Sequence, residues 1–364
     1  MSRLSSEQVA LTVRAADSLT EVFLVDSGFQ LVAAGVGSVE AKVAPGLYKA
    51  RFRVGQVQTD SLFEAAGTDT AFDGKPVQFA SPVPLPQTIT WRQAQGTAAQ
   101  QLAQAVSVRQ GSGSQLFLFL RGLSEEAAQP WLGVSLHALD GTLLTKAAQG
   151  ADACCGLNIE LDPGLYRLRV EEEPGEVYEM FVTTLAGWQT QVFALAEKSW
   201  LPGVDAVRAA LPEAAVLMTE IGKGFDPANP AARQTELLRL ALMHNRKVLN
   251  AAEVKKLLAA EPLNPMNAVY IAHILRRQED EVLTAELAKR LGSTLSELPD
   301  MQAAWLGRLE QPPSFVLPPM LNSSWQLLNE AASKEKAVIV PGSFCDQLQG
   351  KVLNTALWLL HRLG

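Results

Sequence analysis

One short sequence pattern occurs twice in the chain, and this repeat limits the fold more than any other feature. The copies are Pro45–Val54 and Pro163–Val170, which begin 118 residues apart. Pro-Gly opens each copy and is typical of a tight turn, because Pro fixes φ and Gly accepts a positive φ. Apolar and basic side chains then alternate strictly, which is the period of a strand with one buried face. The sequence therefore predicts a duplicated β unit.

Short apolar segments separated by turn residues surround both copies, a spacing typical of small sandwiches. We assign residues 1–68 to a first β-sandwich module and residues 105–197 to a second. In the second module we align Val106 and Val108 with the opening strand of the first. Residues 149–156 are interpreted as an insertion relative to the first module.

The segment between the two modules is rich in proline, which cannot donate a hydrogen bond to a sheet. We interpret residues 69–104 as an extended connector with a short helix at Ala98–Ala105.

The apolar spacing becomes helical from Pro202 onward. Residues 198–311 are assigned to an α-helical domain and residues 312–364 to a C-terminal helical hairpin. Four helix starts are predicted from capping patterns: Asn250 with Glu253, Asn264-Pro265, Asp300, and Ser343 with Asp346. The last helix would present the stripe Leu348, Val352, Ala356 and Leu359. The predicted fold class is multidomain β + α, with two tandem small antiparallel β-sandwich modules followed by an α-helical bundle and a short helical tail.

Composition narrows the function classes. The net charge of −7 argues against non-specific binding to nucleic acid or to an anionic membrane. No apolar run reaches the roughly 18 residues of a membrane span, and the first residues do not resemble a signal peptide. Three cysteines, two of them adjacent, do not form a disulfide framework. These features predict a cytoplasmic protein.

We find no motif that carries a reaction. The glycine-rich segments Gly35–Gly37 and Gly111–Ser114 lack the Gly-Lys-Ser/Thr of a phosphate loop and are interpreted as hairpin turns. Cys345 has no partner at a recognisable spacing and is predicted to be a buried apolar residue. The remaining possible ligands are scattered or adjacent: His137, His244, His273, His361, Cys154 and Cys155. We therefore predict a protein that is not an enzyme, with no catalytic, cofactor-binding or metal-binding residues and no cofactor.

Two sets of charged residues remain. Acidic side chains cluster at the end of the repeated strand, at Glu171–Glu173, Glu176 and Glu179. We interpret them as a solvated loop, or alternatively as a docking patch for a basic partner. Basic side chains of the repeat (Arg51, Arg53, Arg167 and Arg169) are expected to face water, or alternatively to bind an acidic segment. The tryptophans are expected to pack in the core and between domains: Trp131, Trp188, Trp200, Trp305, Trp325 and Trp358.

The order of several segments resembles a family of uncharacterised bacterial multidomain proteins. The segments are Phe79–Pro86, Gly187–Phe193, Arg233–Leu238, Asn264–Met266, Pro318–Leu321 with Ser324-Trp325, and Pro341–Ser343. Members of that family are often encoded beside caspase-like peptidases and defence modules. The family carries no assigned catalytic residues, so the resemblance transfers none.

Together these observations predict a non-enzymatic scaffold, adaptor, inhibitor or substrate that acts through protein contacts. The resemblance implies a caspase-like protease as its partner in a bacterial defence system. The alternative is a β-sandwich protein that binds a carbohydrate or a peptide on one sheet. Which surface would bind the partner, and the oligomeric state, stay open at this point.

Overall fold

The computed structural model describes residues 8–67, 69–123, 129–150, 153–173, 176–198, 207–291, 298–308, 313–334 and 338–363. Predictions that concern the first seven residues, Trp200, Pro202 and the side chains of Glu172 and Glu173 lie outside the described residues. The described part has mixed β and α content, with nineteen strands and eight helices.

Seven strands form the first β unit. They are β1 (Val9–Arg14), β2 (Glu21–Asp26), β3 (Leu31–Val36), β4 (Ser38–Val43), β5 (Gly46–Val54), β6 (Val57–Ala65) and β7 (Asp69–Asp73). They pair as two sheets with the orders β4-β1-β7 and β3-β2-β5-β6. The inward side chains of both sheets are buried in one hydrophobic cluster.

Strand β7 differs from the prediction in two respects. It lies in the segment that we interpreted as connector, because Phe72 stacks on Phe63 with ring centroids 4.5 Å apart and holds this stretch in the unit. It also runs parallel to β1, so the sheet is mixed and not purely antiparallel.

The second β unit has the same connectivity. Its strands are β8 (Val108–Arg109), β9 (Ser114–Gly122), β10 (Val134–His137), β11 (Leu143–Lys146), β12 (Cys154–Leu161), β13 (Gly164–Glu173), β14 (Glu176–Thr184) and β15 (Trp188–Lys198). Strand β9 pairs antiparallel with β12 and parallel with β15, as β1 does with β4 and β7. The other sheet has the order β11-β10-β13-β14, which matches β3-β2-β5-β6. The strand of the second unit that corresponds to β1 is therefore β9. Our alignment of Val106 and Val108 with β1 was wrong, because Val108 lies in β8, beside β12.

The repeated tyrosines occupy equivalent places. The hydroxyl of Tyr48 donates to the carbonyl of Ala44 at 2.8 Å, and that of Tyr166 to the carbonyl of Asp162 at 2.7 Å. Each bond returns to the backbone four residues upstream and ties the strand to its preceding turn, a contact similar to the tyrosine corner of immunoglobulin-type domains.

Two further strands extend the second unit inside the range that we assigned to helices. Strands β16 (Val207–Ala209) and β17 (Ala215–Glu220) both pair with β15. The segment from Ala215 to Met218 is buried at four consecutive positions, a pattern that suits a covered strand better than an amphipathic helix.

The last strands correct the predicted helical hairpin. The last described helix spans Phe344–Gln347, and β18 (Val352–Leu353) and β19 (Leu360–Leu363) follow. Gly350 has φ of 75°, which a continuing helix does not allow. Strand β19 pairs antiparallel with β14 and so adds to the sheet of the second unit.

Eight helices are described. They are α1 (Gln93–Gln104), α2 (Pro230–Met243), α3 (Ala251–Leu258), α4 (Pro265–Gln278), α5 (Glu281–Arg290), α6 (Pro299–Ala304), α7 (Asn322–Lys334) and α8 (Phe344–Gln347). Helix α1 includes most of the short helix predicted in the connector. Helix α4 is buried over eleven successive residues, Pro265 to Leu275, and lies among α2, α5 and α6.

The predicted helix starts agree with the structure except at Asp300. Asn250 accepts the amide hydrogen of Glu253, Asn264 accepts that of Met266, and Ser343 caps α8. The N-cap of α6 is Leu298, and the Asp300 carboxylate instead accepts the backbone N–H groups of Met320 and Leu321.

Candidate interaction surface

The outward side of the sheet β3-β2-β5-β6, which we name the open face, exposes several large apolar side chains. Leu31, Val25, Lys49 and Leu62 lie in one cross-strand row. Leu31 and Leu62 are exposed, and Leu62 keeps 78% of its surface accessible. The exposed Phe29 lies at the end of this row, with the Lys49 ammonium 5.6 Å from its ring centroid. Contiguous exposed apolar side chains on a folded protein commonly mark an interaction site.

Basic side chains of the open face are paired with acids. Arg51 binds both carboxylate oxygens of Asp60 at 2.7 and 2.9 Å, and the Lys49 ammonium lies 3.3 Å from the same carboxylate. Arg53 binds Glu21 in the same bidentate way. These arginines lie on the outer side of the sheet as expected, but they are half-buried and bind acids of their own sheet, so they do not simply face water. The hydrogen bond from Arg51 lowers the pKa of Asp60.

The equivalent face of the second unit, which we name the covered face, carries the same charge arrangement. The strand register aligns Arg167 with Lys49, Arg169 with Arg51, and Glu179 with Asp60. The Glu179 carboxylate accepts from Nε of Arg167 at 2.8 Å and also from Nε of Arg169.

Glu179 differs from Asp60 in its burial. Its side chain is 0% exposed, whereas that of Asp60 is 38% exposed. A third contact joins Glu179 to Nε2 of His361, at 3.0 Å. Burial alone would raise the pKa of Glu179, but the hydrogen bonds from His361 and the two arginines outweigh it and lower the pKa to about 2. The prediction of a solvated acidic loop is wrong for this residue, although Glu171 is exposed as expected.

The covered face is hidden by residues 313–334 and 338–363 of the same chain, which we name the C-terminal segment. Phe181 is fully buried, with the His361 ring stacked on it at 5.3 Å and the Phe344 ring edge-on at 5.6 Å. Leu165 and Leu359 belong to the same hydrophobic cluster.

Within the described part of the chain, the open face is therefore exposed where the equivalent surface of the second unit is buried. Leu62 corresponds to Phe181, and Leu47 to Leu165. Leu47 and Leu62 are exposed, whereas their counterparts are buried. Strand β6 is also the edge of its sheet in the described structure, whereas its counterpart β14 is paired with β19.

A second group of polar residues joins His273, Asp300 and Ser324, which sequence analysis did not connect. The Ser324 hydroxyl donates to the Asp300 carboxylate at 2.6 Å and lies 3.0 Å from Nε2 of His273. These are the residue types of a catalytic triad, but the carboxylate binds the serine and not the imidazole. All three side chains are buried, and burial lowers the pKa of His273 to about 4. The group joins α4, α6 and α7, and its geometry does not activate a nucleophile.

A third polar group holds the proline-rich connector. Arg121, at the end of β9, is fully buried and donates to the carbonyls of Ser81, Pro82 and Thr90 at 2.7 to 2.8 Å. Burial lowers its pKa to about 10. The guanidinium thus satisfies carbonyls that an extended segment leaves without sheet partners, and its role is structural.

The thiols of Cys155 and Cys345 do not have the properties of a nucleophile. Burial raises the pKa of Cys155 and of Cys345 to about 12, so neither forms the reactive thiolate near neutral pH. The prediction that Cys345 is buried is confirmed, and Cys154 is buried as well. Within the described ranges, no group of three or more His, Cys, Asp or Glu side chains could hold a metal ion.

The other predicted positions are structural. Gly37 and Gly113 adopt positive φ in turns between strands. The prediction that these turns are hairpins is wrong, because β3 and β4 lie in different sheets and β8 pairs with β12 instead of β9. Trp325 and Trp358 are buried, and Trp358 donates its indole N–H to the carbonyl of Ala214 at 2.7 Å. Of the helices that the structure describes, none combines the length and the apolar character needed to cross a bilayer.

Cavities lie mainly between the β units and the helices. One of about 310 Å³ lies between β17 and the starts of α2 and α4, and its polar lining includes Gln191, Thr235 and Asn267. The hydroxyl of Thr235 donates to Asn267 at 2.7 Å, and Gln191 donates to Gln189 at 2.7 Å. The polar side chains of the lining thus bind each other or neighbouring protein groups, and they do not indicate a particular ligand.

Comparison with known proteins gives little. No protein-family model matches the chain, and no curated protein does. Among solved structures, the chain is similar to the TIE protein of Bacillus anthracis, with 10% sequence identity and a TM-score of 0.21. The similarity covers 49% of this chain and 31% of that protein, so the match spans about a third of its length. A similarity of this size carries no conclusion about fold or function.

Proposed function

We propose that this protein is a non-enzymatic adaptor that binds another protein through the open face of its first β unit. One observation carries the proposal: the chain covers this surface in the second unit and leaves it exposed in the first. Burying Leu47 and Leu62 against a partner would remove apolar surface from water, the dominant driving force of most protein association.

The architecture that we propose is a tandem of two copies of one β-sandwich module, followed by a helical bundle that fixes their orientation. Support comes from the shared strand order and from the equivalent tyrosine contacts. In this arrangement the second module is a structural unit closed by its own chain, and the first is the binding unit.

We further propose that the partner is a caspase-like protease, with which the protein acts as scaffold, inhibitor or substrate in bacterial defence. Only the resemblance in segment order supports this identity. A cytoplasmic location accords with the buried thiols of Cys155 and Cys345 and with the net charge of −7, which also disfavours nucleic acid as a partner.

The alternative is a sheet that binds a carbohydrate or a peptide, and its carbohydrate form is less well supported. A cluster of exposed aromatic rings would favour a carbohydrate, and the described part of the open face has one widely exposed ring, Phe29. Phe23 lies on the same face beneath the Arg53 guanidinium, 4.7 Å from its ring centroid. The remaining exposed apolar residues are aliphatic, which suits a protein partner better.

A photo-cross-linking experiment tests the proposal. A photoreactive residue is placed at Leu62 and, as a matched control, at Val282 on α5, which is also 78% exposed. We expect a defined protein adduct in host cells from position 62 and none from position 282. No adduct specific to position 62 would refute the adaptor function. An adduct with a protein other than a caspase-like protease would refute the identity of the partner.

A further inference from the structure

The free edge of β6 has a direct counterpart whose occupant is known. In the second unit, β19 lies antiparallel beside β14, with Leu363 opposite Val177 and His361 opposite Glu179. His361 points to the outer side of the sheet, where it binds the Glu179 carboxylate. Leu359, two residues earlier, packs in the cluster that contains Phe181. The occupant therefore has the outward pattern apolar-x-His-x-apolar.

Strand β6 offers matching groups at the same positions. The register places Asp60 where β14 has Glu179, Leu62 where it has Phe181, and Gln58 where it has Val177. Strand β6 has nine residues and, with the equally long β5, is one of the two longest strands of the first unit. Its residues 57–60 are all exposed. A long exposed edge with an apolar side chain beside it is a template for pairing with another strand.

The carboxylate of Asp60 can accept a further donor. It already binds Arg51 and lies near Lys49, yet a carboxylate has about four acceptor positions. Glu179 shows that a carboxylate held by two basic residues in this geometry also accepts an imidazole N–H.

From this correspondence we propose that the edge of β6 binds an extended segment of a partner protein as an added antiparallel strand. The segment carries a histidine or another hydrogen-bond donor opposite Asp60, with apolar residues two positions before and after it. Backbone hydrogen bonds to β6 provide affinity, and the contacts with Asp60 and Leu62 provide specificity, as in other cases of β-strand addition. This inference rests on the proposed adaptor function and specifies the partner's chemistry.

The chain's own sequence provides the probe. A fluorescent peptide of residues 355–363 is added to the intact protein, in which the natural copy of this sequence already pairs with β14. We expect saturable binding and slower amide hydrogen exchange in β6 (Val57–Ala65), with no change in α5. A peptide with His361→Glu should bind at least tenfold more weakly, because a second carboxylate would face Asp60.

Variants of the protein locate the site. Leu62→Glu should abolish peptide binding, and Val282→Glu should not change it. Val282 is a matched control because both residues are equally exposed and neither packs in the core. Peptide that protects β14 in place of β6 would overturn the proposal, because it would show exchange with the natural tail. Protection of β6 that depends on protein concentration, without peptide, would also overturn it, because a second copy would then be the occupant.

The outcome also separates this inference from the adaptor function. If the peptide does not bind while cross-links from position 62 persist, strand addition is wrong and the open face is still a contact surface. If both fail, the adaptor function is wrong as well.

Discussion

Glu179 and Asp60 occupy equivalent positions but differ in burial. Replacing each carboxylate with the corresponding amide side chain should therefore change the stability of the protein by very different amounts. In Glu179→Gln the buried Arg167 and the half-buried Arg169 lose their counter-charge. A pKa lowered from 4.5 to about 2 corresponds to about 3 kcal/mol of stability, at about 1.4 kcal/mol per pKa unit. Asp60→Asn removes an exposed ion pair, which contributes at most about 1 kcal/mol.

The sign of the pH dependence follows from the direction of the shift. Because the pKa of Glu179 is lower in the folded protein than in the unfolded chain, its contribution is present above about pH 4.5 and is lost as the pH falls towards about 2. The amide variant binds no proton at this position and lacks that loss. The difference in stability between wild type and Glu179→Gln should therefore shrink as the solution becomes acidic.

Urea unfolding between pH 7 and pH 3 provides the measurement, with hydrogen exchange in β13 and β14 reporting on the second unit. Asp60→Asn is the matched control and should change stability little at any of these pH values. A constant difference between wild type and Glu179→Gln from pH 7 to pH 3 would show that the carboxylate's charge is not what stabilises the covered face. Equal losses in the two variants would show that burial by the C-terminal segment has no energetic consequence.

Three further predictions concern other parts of the structure. Arg121→Met should destabilise the protein by about 3 kcal/mol or more, because buried carbonyls lose their donor. It should also speed hydrogen exchange in residues 81–90, and unchanged exchange there would contradict the structural role of Arg121. Tyr48→Phe and Tyr166→Phe should each cost about 1 kcal/mol in urea unfolding, and clearly unequal costs would argue against equivalent tyrosine contacts. Cys345 should react with a maleimide at pH 8 only after unfolding in urea, since its pKa is raised to about 12; fast labelling of the native protein would refute its burial.

The local features of the fold could be predicted from sequence. The repeat identifies β5 and β13 and their buried faces, because a period of two depends only on neighbouring residues. The caps at Asn250 and Asn264 are equally local. Continuing the alignment at the same offset would have placed Asp60 beside Tyr178, because the chain from Arg169 to Glu179 is one residue longer than the chain from Arg51 to Asp60. The equivalence of Asp60 and Glu179 therefore becomes visible only in the strand register.

Long-range pairings could not be predicted in this way. The edge of β14 is covered by β19, whereas the equivalent edge of β6 is free in the described structure. This difference depends on β19, which is distant in sequence and too short to show a distinctive period. The segment from Leu357 to Leu360 is apolar at every position, so its sequence alone fits a buried helix as well as a strand. The stripe from Leu348 to Leu359 predicts a helix because its apolar residues recur every three to four positions, but Gly350, with its positive φ, interrupts that helix.

The late position of β19 has a consequence for synthesis on the ribosome. The contact between Glu176 and Arg362 spans 186 residues, so the nascent second unit emerges long before the strand that completes its sheet. In that interval Arg167, Arg169 and Glu179 stand in water, and both units present the same uncovered surface to chaperones and to each other. Closure by β19 then leaves the two units different, so the order of synthesis decides when the molecule acquires its asymmetry.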